Sequence, residues 1–212
     1  MIKHLFLVRH GDTKYATNDN TNVRTDLGLT ELGIKQAELT GKRLALWLKG
    51  ADYGFYSSDL PGAKATAEGI GLILAKQYTA VQELRDPHIS DKLEAPPPEP
   101  VKTNPWQMTG PLINWVDETA IDKKEEPAAC GGKITDFMRM IQNIEKESVV
   151  AVSHEDQIIS IILWWLELTE KQAEKMSFDI DPGSITLLRI NSKGLRTIAK
   201  LNDTGHLTAG EK

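Results

Sequence analysis

The sequence has little of what would place the protein outside the cell or in a membrane. Its 212 residues include a single cysteine, Cys130, which excludes an internal disulfide. The most apolar stretch, residues 158–168, is too short and too interrupted to span a bilayer. The amino terminus lacks the charged, apolar and small-residue regions of a signal peptide. We therefore expect a cytoplasmic protein that does not associate with membranes.

Positive charge and metal-ligand clusters are also scarce. The 25 Lys and Arg residues are outnumbered by 30 Asp and Glu residues, giving a formal net charge of −5. No basic cluster is present to follow a phosphate backbone, so the sequence argues against nucleic-acid binding. Neither closely spaced metal ligands nor the Gly-x-Ser-x-Gly motif of serine hydrolases occurs. No cofactor is expected.

The pattern of apolar residues alternates between strands and helices. The first strand ends near Arg9, and the polar segment 14–26, rich in Asn and Thr, is predicted to be a loop. A helix follows with Thr30 as its N-cap and Gly50 as its end, and one face is predicted to be buried: Ile34, Ala37, Gly41, Leu44 and Leu48. Such alternation is typical of a largely parallel sheet covered by helices on both faces.

Further elements are predicted along the rest of the chain. Strands are predicted at 52–57, 148–153, 184–190 and 195–201, with a short strand or turn at 81–86. Helices are predicted from about 58 to 77, 134 to 147, 156 to 168 and 169 to 176. The segment 87–129 is interrupted by prolines, yet it carries tryptophans and other apolar residues. We interpret it as an irregular lid or specificity insertion packed on the core.

The chemistry is concentrated where the first strand ends, at Arg9-His10-Gly11. Ligands of open α/β sheets bind beyond the carboxyl ends of the strands. There Arg9 offers a fork of donors for phosphate oxygens, His10 offers a nucleophilic ring nitrogen, and Gly11 permits a sharp turn. For this tripeptide alone, an ordinary half-buried histidine at a strand end is an equally good interpretation.

A second histidine stands at an equivalent position, since His154 directly follows the predicted strand 148–153. If both strands are central and parallel, both imidazoles point into one crevice. Two histidines in the same topological place, one of them next to an arginine, favour a functional site over a structural role.

Several motifs along the whole chain resemble the histidine phosphatase superfamily, the phosphoglycerate mutase-like family. They are Leu-Val-Arg-His-Gly-Asp-Thr at 7–13, Leu-Thr-Glu-Leu-Gly at 29–33, Ser-Ser-Asp-Leu at 57–60, Val-Ser-His at 152–154 and the ending 201–207. The resemblance implies one domain over residues 1–212 with a three-layer α/β fold and a mostly parallel central sheet.

The resemblance also implies a metal-independent phosphomonoesterase that acts on a small phosphorylated substrate. His10 would attack phosphorus and form a phosphohistidine, while Arg9 and His154 hold the phosphoryl oxygens. Gly11 and Thr13 would also contribute to substrate binding. A carboxylic acid would protonate the leaving oxygen, with Asp86 as the first candidate and Glu83 as the second.

The sequence departs from the family pattern most clearly at Gly62, where the second phosphate-binding arginine would be expected. Other departures are Ala16 in place of a mutase asparagine, Glu155-Asp156 after the second histidine, and Pro87-His88 after the expected acid. A replacement cation could come from elsewhere in the chain, although spacing supports none of the four candidates: Arg24, Arg85, His88 and Lys102.

Two functional hypotheses follow. The first is a working phosphatase whose missing cation is supplied by another residue. The second is a catalytically degenerate member that binds a phosphorylated ligand or a protein partner. A phosphoglycerate mutase ranks below both, because the residues around Asp86 do not resemble the mutase sequence and Ala16 weakens the match further. Substrate identity and oligomeric state are not specified by any motif.

Overall fold

The protein was analysed as a computed structural model, which describes residues 2–18, 23–86, 131–173 and 175–208. Within these ranges the helices are α1 Glu31–Trp47, α2 Pro61–Leu74, α3 Gly131–Gln142, α4 Glu155–Trp165 and α5 Glu170–Ala173. The strands are β1 His4–Arg9, β2 Thr13–Asn18, β3 Val23–Leu29, β4 Tyr53–Ser58, β5 Thr79–Val81, β6 Ser148–Ser153, β7 Ile185–Ile190 and β8 Arg196–Asp203. The predicted insertion at 87–129, which includes His88 and Lys102, lies outside the described residues.

A six-stranded sheet forms the centre, in the order β5-β4-β6-β1-β7-β8. Strands β5, β4, β6 and β1 run parallel to one another, whereas β7 is antiparallel to both β1 and β8. The expected mostly parallel α/β sheet is therefore confirmed. Because β1 and β6 are adjacent and parallel, the residues that follow them leave the sheet at the same edge.

Alternation along β1 produces the two apolar layers. Leu5 and Leu7 are buried on one face in a cluster with residues of α3 and α4, such as Phe137. Phe6 and Val8 are buried on the other face with residues of α1 and α2. Successive strand side chains point to opposite faces, so a continuous apolar strand requires a helical layer on each side.

The helix α4 follows the pattern predicted for a fully buried helix. Ile158, Ile161 and Ile162 have no exposed surface, and the helix is only 11 residues long. In the described part of the chain, no helix is both long enough and apolar enough to cross a membrane.

The segment 14–26 differs from its prediction. Instead of a loop, β2 and β3 form an antiparallel two-stranded sheet, in which Tyr15 is paired with Asp26. Its pairing register shifts between Thr13 and Tyr15. A strand is normally predicted from alternating apolar and polar residues, and this short polar hairpin has no such alternation. Its two strands are defined by their backbone pairing, which local composition does not indicate.

The first helix confirms its predicted cap, because the Thr30 side chain accepts a hydrogen bond from the Gly33 backbone amide. The predicted buried face is wrong at Ile34, which is 60 % exposed. The glycines of the α1–α2 pair serve close packing: a Cβ atom on Gly41 would lie 3.1 Å from Ile73, and one on Gly69 would lie 3.1 Å from Ala37. Tertiary contact thus offsets their low helix propensity.

Candidate active site

The two strand-end histidines meet at the carboxyl edge of the sheet. Arg9 at the end of β1 is paired in register with Ser153 at the end of β6, and the His10 amide donates to the Ser153 carbonyl at 2.9 Å. The rings of His10 and His154 have centroids 4.9 Å apart and are inclined by 60°. Both histidines are buried, with 3 % and 0 % of their surface exposed. The predicted convergence of the two imidazoles in one crevice is confirmed.

The orientation of the His10 ring is set by a backbone hydrogen bond. Its Nδ1 atom lies 2.7 Å from the Gly11 carbonyl oxygen, which can only accept, so Nδ1 carries the hydrogen. The other nitrogen, Nε2, therefore presents a lone pair. Burial lowers the pKa of His10 and outweighs the opposing effect of the Gly11 bond, which keeps the ring neutral. A neutral imidazole with a free lone pair is the form in which histidine attacks an electrophile.

The second histidine is held by β4. Its Nε2 atom lies 2.9 Å from the Ser58 hydroxyl, while its Nδ1 atom is buried and has no hydrogen-bond partner among the described residues. Burial, followed by the nearby His10 and the positive charge of Arg9, lowers the pKa of His154 well below its usual value. An anion placed against Nδ1 would reverse this balance, because it favours the protonated ring.

The guanidinium of Arg9 already contacts a backbone carbonyl and a carboxylate of the protein. One terminal nitrogen of its guanidinium donates to the Ile180 carbonyl and also lies 2.8 Å from the Glu155 carboxylate. Its Nε atom is buried without a hydrogen-bond partner among the described residues. The negative charge of Glu155, directly after His154, therefore acts on the arginine at the end of the neighbouring strand β1.

Gly11 is required by close contact between backbones. A Cβ atom on Gly11 would lie 2.5 Å from the Gly33 carbonyl oxygen, and the Gly11 amide donates to the Thr66 hydroxyl at 3.0 Å. The motif at 7–13 is thus pressed against the first turn of α1 and held by a side chain of α2. A residue with a Cβ atom at position 11 would displace this turn.

A carboxylate occupies the region opposite Gly62. The Gly62 amide donates to Oδ2 of Asp26 at 2.8 Å, and the Gly28 amide donates to its Oδ1 at 2.8 Å. A Cβ atom at Gly62 would lie 2.5 Å from Cγ2 of Thr13 and 2.9 Å from Oδ2 of Asp26. Asp26 thereby caps the first turn of α2 from another element of the fold, and it is 5 % exposed.

The two candidate acids differ in their relation to His10. The negative charge of Asp86 acts on His10 and raises its pKa. The segment before Asp86 is fixed to the strand-end side, because Ser153 donates to the Leu84 carbonyl at 2.8 Å and Gln157 donates to the Arg85 carbonyl at 2.7 Å. These contacts favour Asp86 over Glu83 as the acid, which stays a prediction.

One candidate for the missing cation, Arg85, is already paired with a carboxylate. Arg85 makes a two-point ion pair with Asp59, its second contact measuring 2.7 Å, and this pair lowers the pKa of Asp59. The side chain of Arg24 lies outside the described residues, as do His88 and Lys102. Within the described ranges, no group of three or more His, Cys, Asp or Glu side chains is arranged to hold a metal ion.

Two polar residues of the hairpin were missed by the sequence reading. The Tyr15 hydroxyl lies 3.3 Å from Nε2 of His10, and the charge of Asp26 also raises the pKa of His10. Both belong to the segment predicted to be a loop. Their positions, two and thirteen residues beyond the 7–13 motif, carry no chemical signature. Only the pairing of β2 with β3 brings them to the site.

Comparison with known proteins identifies the family. The model of the histidine phosphatase superfamily (branch 1) matches residues 5–204. The chain belongs to this superfamily. The match includes the strand-end histidines and the β2–β3 hairpin, and it extends across the sheet to β8. No curated protein sequence matches the chain.

Solved structures of histidine phosphatase fold proteins are similar over almost the entire chain. A phosphoserine phosphatase from Entamoeba histolytica, in complex with 3-phosphoglyceric acid, is 22% identical, with a TM-score of 0.60 and coverage of 96% of this chain and 98% of that one. A mycobacterial glucosyl-3-phosphoglycerate phosphatase with inorganic phosphate is 17% identical, with a TM-score of 0.65 and coverage of 96% and 99%. A phosphoglycerate mutase from Plasmodium falciparum is 18% identical, with a TM-score of 0.55 and coverage of 94% and 89%. At these identities the similarity shows the fold alone.

Proposed function

We propose that the protein is a metal-independent phosphomonoesterase that acts on a small phosphorylated substrate through a phosphohistidine at His10. The observation that carries this proposal is the hydrogen bond from Nδ1 of His10 to the Gly11 carbonyl, at 2.7 Å, which leaves the lone pair of the ring on Nε2. A neutral, buried and oriented imidazole is suited to in-line attack on phosphorus.

The neighbouring groups complete the proposed reaction. Arg9 and His154 bind the phosphoryl oxygens, with Gly11 and Thr13 shaping the same cradle, and the expelled oxygen takes a proton from Asp86. The Asp86 carboxylate then accepts a proton from the water that cleaves the N–P bond. The structural neighbours support a phosphorylated small molecule as substrate, since two of them are phosphatases of phosphoserine and of glucosyl-3-phosphoglycerate.

A second function is favoured by two carboxylates close to the site. Glu155 neutralises part of the Arg9 charge at 2.8 Å, and the Asp26 carboxylate lies where a side chain at 62 would begin. Both reduce the attraction of the site for a phosphoryl dianion. A member of the family that binds a phosphorylated ligand or a protein partner without turning it over would tolerate this charge balance.

Hydrolysis of a general aryl phosphate by the wild type and by His10→Ala separates the two functions. The phosphatase proposal requires the wild type to exceed His10→Ala by orders of magnitude and to form an acid-labile, phosphate-labelled histidine during turnover. Equal rates for the two proteins would instead leave only binding, to be checked by titration of each protein with inorganic phosphate.

Introducing an arginine at position 62 is not a simple test of whether the site lacks a cation. The new Cβ atom would lie 2.5 Å from Cγ2 of Thr13, and the side chain would start beside the Asp26 carboxylate. An arginine there would pair with Asp26. The informative variant is therefore the double exchange Asp26→Gly with Gly62→Arg, compared with each single exchange, because only the double exchange offers the added charge to a ligand.

A further inference from the structure

The β2–β3 hairpin delivers a phenol to the reacting atom of the site. The Tyr15 hydroxyl lies 3.3 Å from Nε2 of His10, the nitrogen that carries the lone pair. The register shift of the hairpin falls between Thr13 and Tyr15. Such irregularities re-aim side chains and are frequent beside active sites. The Tyr15 side chain thus reaches the His10 ring from a strand outside the central sheet.

The direction of the hydrogen bond follows from the protonation of His10. The hydrogen on Nδ1 is directed to the Gly11 carbonyl, so Nε2 can only accept, and the Tyr15 hydroxyl must be the donor. Burial raises the pKa of Tyr15 and outweighs the opposing effects of Thr13 and Arg9, while the nearby Asp26 and Asp86 raise the pKa further. The phenol therefore remains a neutral donor throughout the neutral pH range.

A neutral donor suits the charges of this side of the site. Asp26 and Asp86 are close enough to affect the pKa of both His10 and Tyr15, and the guanidinium of Arg9 is already shared with Glu155. A phosphoryl group that arrives at Nε2 brings three equatorial oxygens into the space that faces the phenol. A donor already aimed at this point needs little reorganisation when charge develops on those oxygens.

We propose that the Tyr15 hydroxyl is a catalytic hydrogen-bond donor, which passes from Nε2 of His10 to a phosphoryl oxygen as phosphorus approaches. This inference rests on the proposed phosphatase function. The lone pair of Nε2 forms the N–P bond, the bond from phosphorus to the leaving oxygen breaks, and that oxygen takes the proton of Asp86. Tyr15 keeps its proton throughout and supplies only the hydrogen bond.

The test removes this one oxygen atom and leaves the ring in place. Tyr15→Phe should lower the kcat for an aryl phosphate by about 10²-fold, the usual effect of losing one donor to a developing oxyanion, while KM changes far less. Affinity for vanadate, which imitates the five-coordinate phosphorus of the transition state, should fall by about tenfold or more. Affinity for sulfate, a tetrahedral anion, should fall less.

The matched control is Tyr78→Phe, which removes a hydroxyl that donates to Glu68 at 3.3 Å on the exposed side of α2. It should leave kcat, KM and vanadate affinity unchanged. Thermal unfolding of both variants separates a loss of catalysis from a loss of folded protein. Since Tyr15 is more than one third exposed, we expect Tyr15→Phe to fold normally.

The outcomes are distinct. An unchanged or increased kcat in Tyr15→Phe, with wild type still far above His10→Ala, would overturn the role of Tyr15 and leave the phosphatase proposal standing. An increased kcat would further identify the phenol as a group that competes with the substrate for Nε2. Equal rates for wild type and His10→Ala would overturn the proposed function, and the catalytic role of Tyr15 with it. A 10²-fold loss together with weakened vanadate binding supports both.

Discussion

The two sides of the candidate site differ in their chemistry. The strand-end side, formed by Arg9, His10 and His154, is built from nitrogen donors and from two imidazoles that burial holds neutral. The hairpin side, formed by Tyr15 and Asp26 facing the first turn of α2, presents a phenol and a carboxylate. The first side is chemically complementary to phosphate. The second side is complementary to phosphate only through the Tyr15 hydroxyl, because the Asp26 carboxylate is negatively charged, as phosphate is.

The two sides also differ in the part of the fold that holds them. The strand-end side is part of the sheet, and its geometry follows from the parallel pairing of β1 with β6. The hairpin side depends on a two-stranded unit outside the central sheet. The carboxylate on this side, Asp26, is held by the amides of Gly28 and Gly62, so the charge of this side depends on how the hairpin packs against α2.

The largest expected effect breaks the strand-end side. Arg9→Ala should lower kcat for an aryl phosphate by about 10²–10³-fold, because it removes a charged donor and leaves the Glu155 carboxylate facing the ligand. Steady-state kinetics with a thermal unfolding check measures this effect. A loss smaller than tenfold would mean that the oxygens of the phosphoryl group are held elsewhere.

The companion variant Glu155→Gln sharpens the same comparison in the opposite direction. It keeps Arg9 in place and frees its charge, so affinity for inorganic phosphate should rise by several-fold, a modest effect because the pair is partly exposed to solvent. Titration calorimetry at low ionic strength provides the measurement. Unchanged or weaker binding would show that the ion pair positions Arg9 and does not compete with the ligand.

The next effect concerns the fit of the hairpin against α2. Gly62→Ala should lower the free energy of unfolding by about 1–3 kcal/mol, because its Cβ atom would overlap Cγ2 of Thr13 at 2.5 Å. Adding Thr13→Ser removes that methyl group and should recover part of the loss. Urea unfolding of the two single variants and the double variant measures this coupling. Strict additivity of the two changes would contradict the contact.

The last prediction concerns the pH dependence of stability, to which the two histidines of the strand-end side contribute. The pKa values of His10, His154 and His206 are lowered in the folded protein, mainly by burial. Below about pH 6.5 the unfolded chain binds protons that the folded chain does not, so the free energy of unfolding should decrease as the pH falls. Each histidine contributes at most about 1.4 kcal/mol per pH unit in this window.

Urea unfolding between pH 7.5 and pH 5.5 measures this slope, and His154→Gln serves as the comparison. The variant should show a shallower decrease than the wild type because one buried imidazole has been removed. Equal slopes would mean that His154 binds its proton equally well in the folded and the unfolded protein.

Parts of the fold were predictable because their signals are local. The strand 148–153 is predicted with the same bounds as β6, since a run of small and β-branched residues has one good environment, a sheet covered on both faces. The predicted Thr30 cap of α1 is confirmed for a similar reason, because a cap is a contact across three residues. Helix α2 ends at Leu74, three residues before the predicted end near Gln77. It ends there because the next residue, Ala75, adopts a left-handed conformation with φ of 50°.

Strand patterns and motif order were sufficient to predict that Arg9 ends a buried strand and that His10 and His154 each directly follow one, because both are properties of the chain. Two further contacts are visible only in the folded protein: the Tyr15 hydroxyl donates to Nε2 of His10, and the Gly62 amide donates to Asp26. These contacts join β2, β3 and α2, and the two partners in the second are separated by 36 residues. Both contacts form only when the hairpin packs against the central sheet and α2. That packing depends on contacts between residues far apart in the sequence, which the local hydrophobic pattern does not encode.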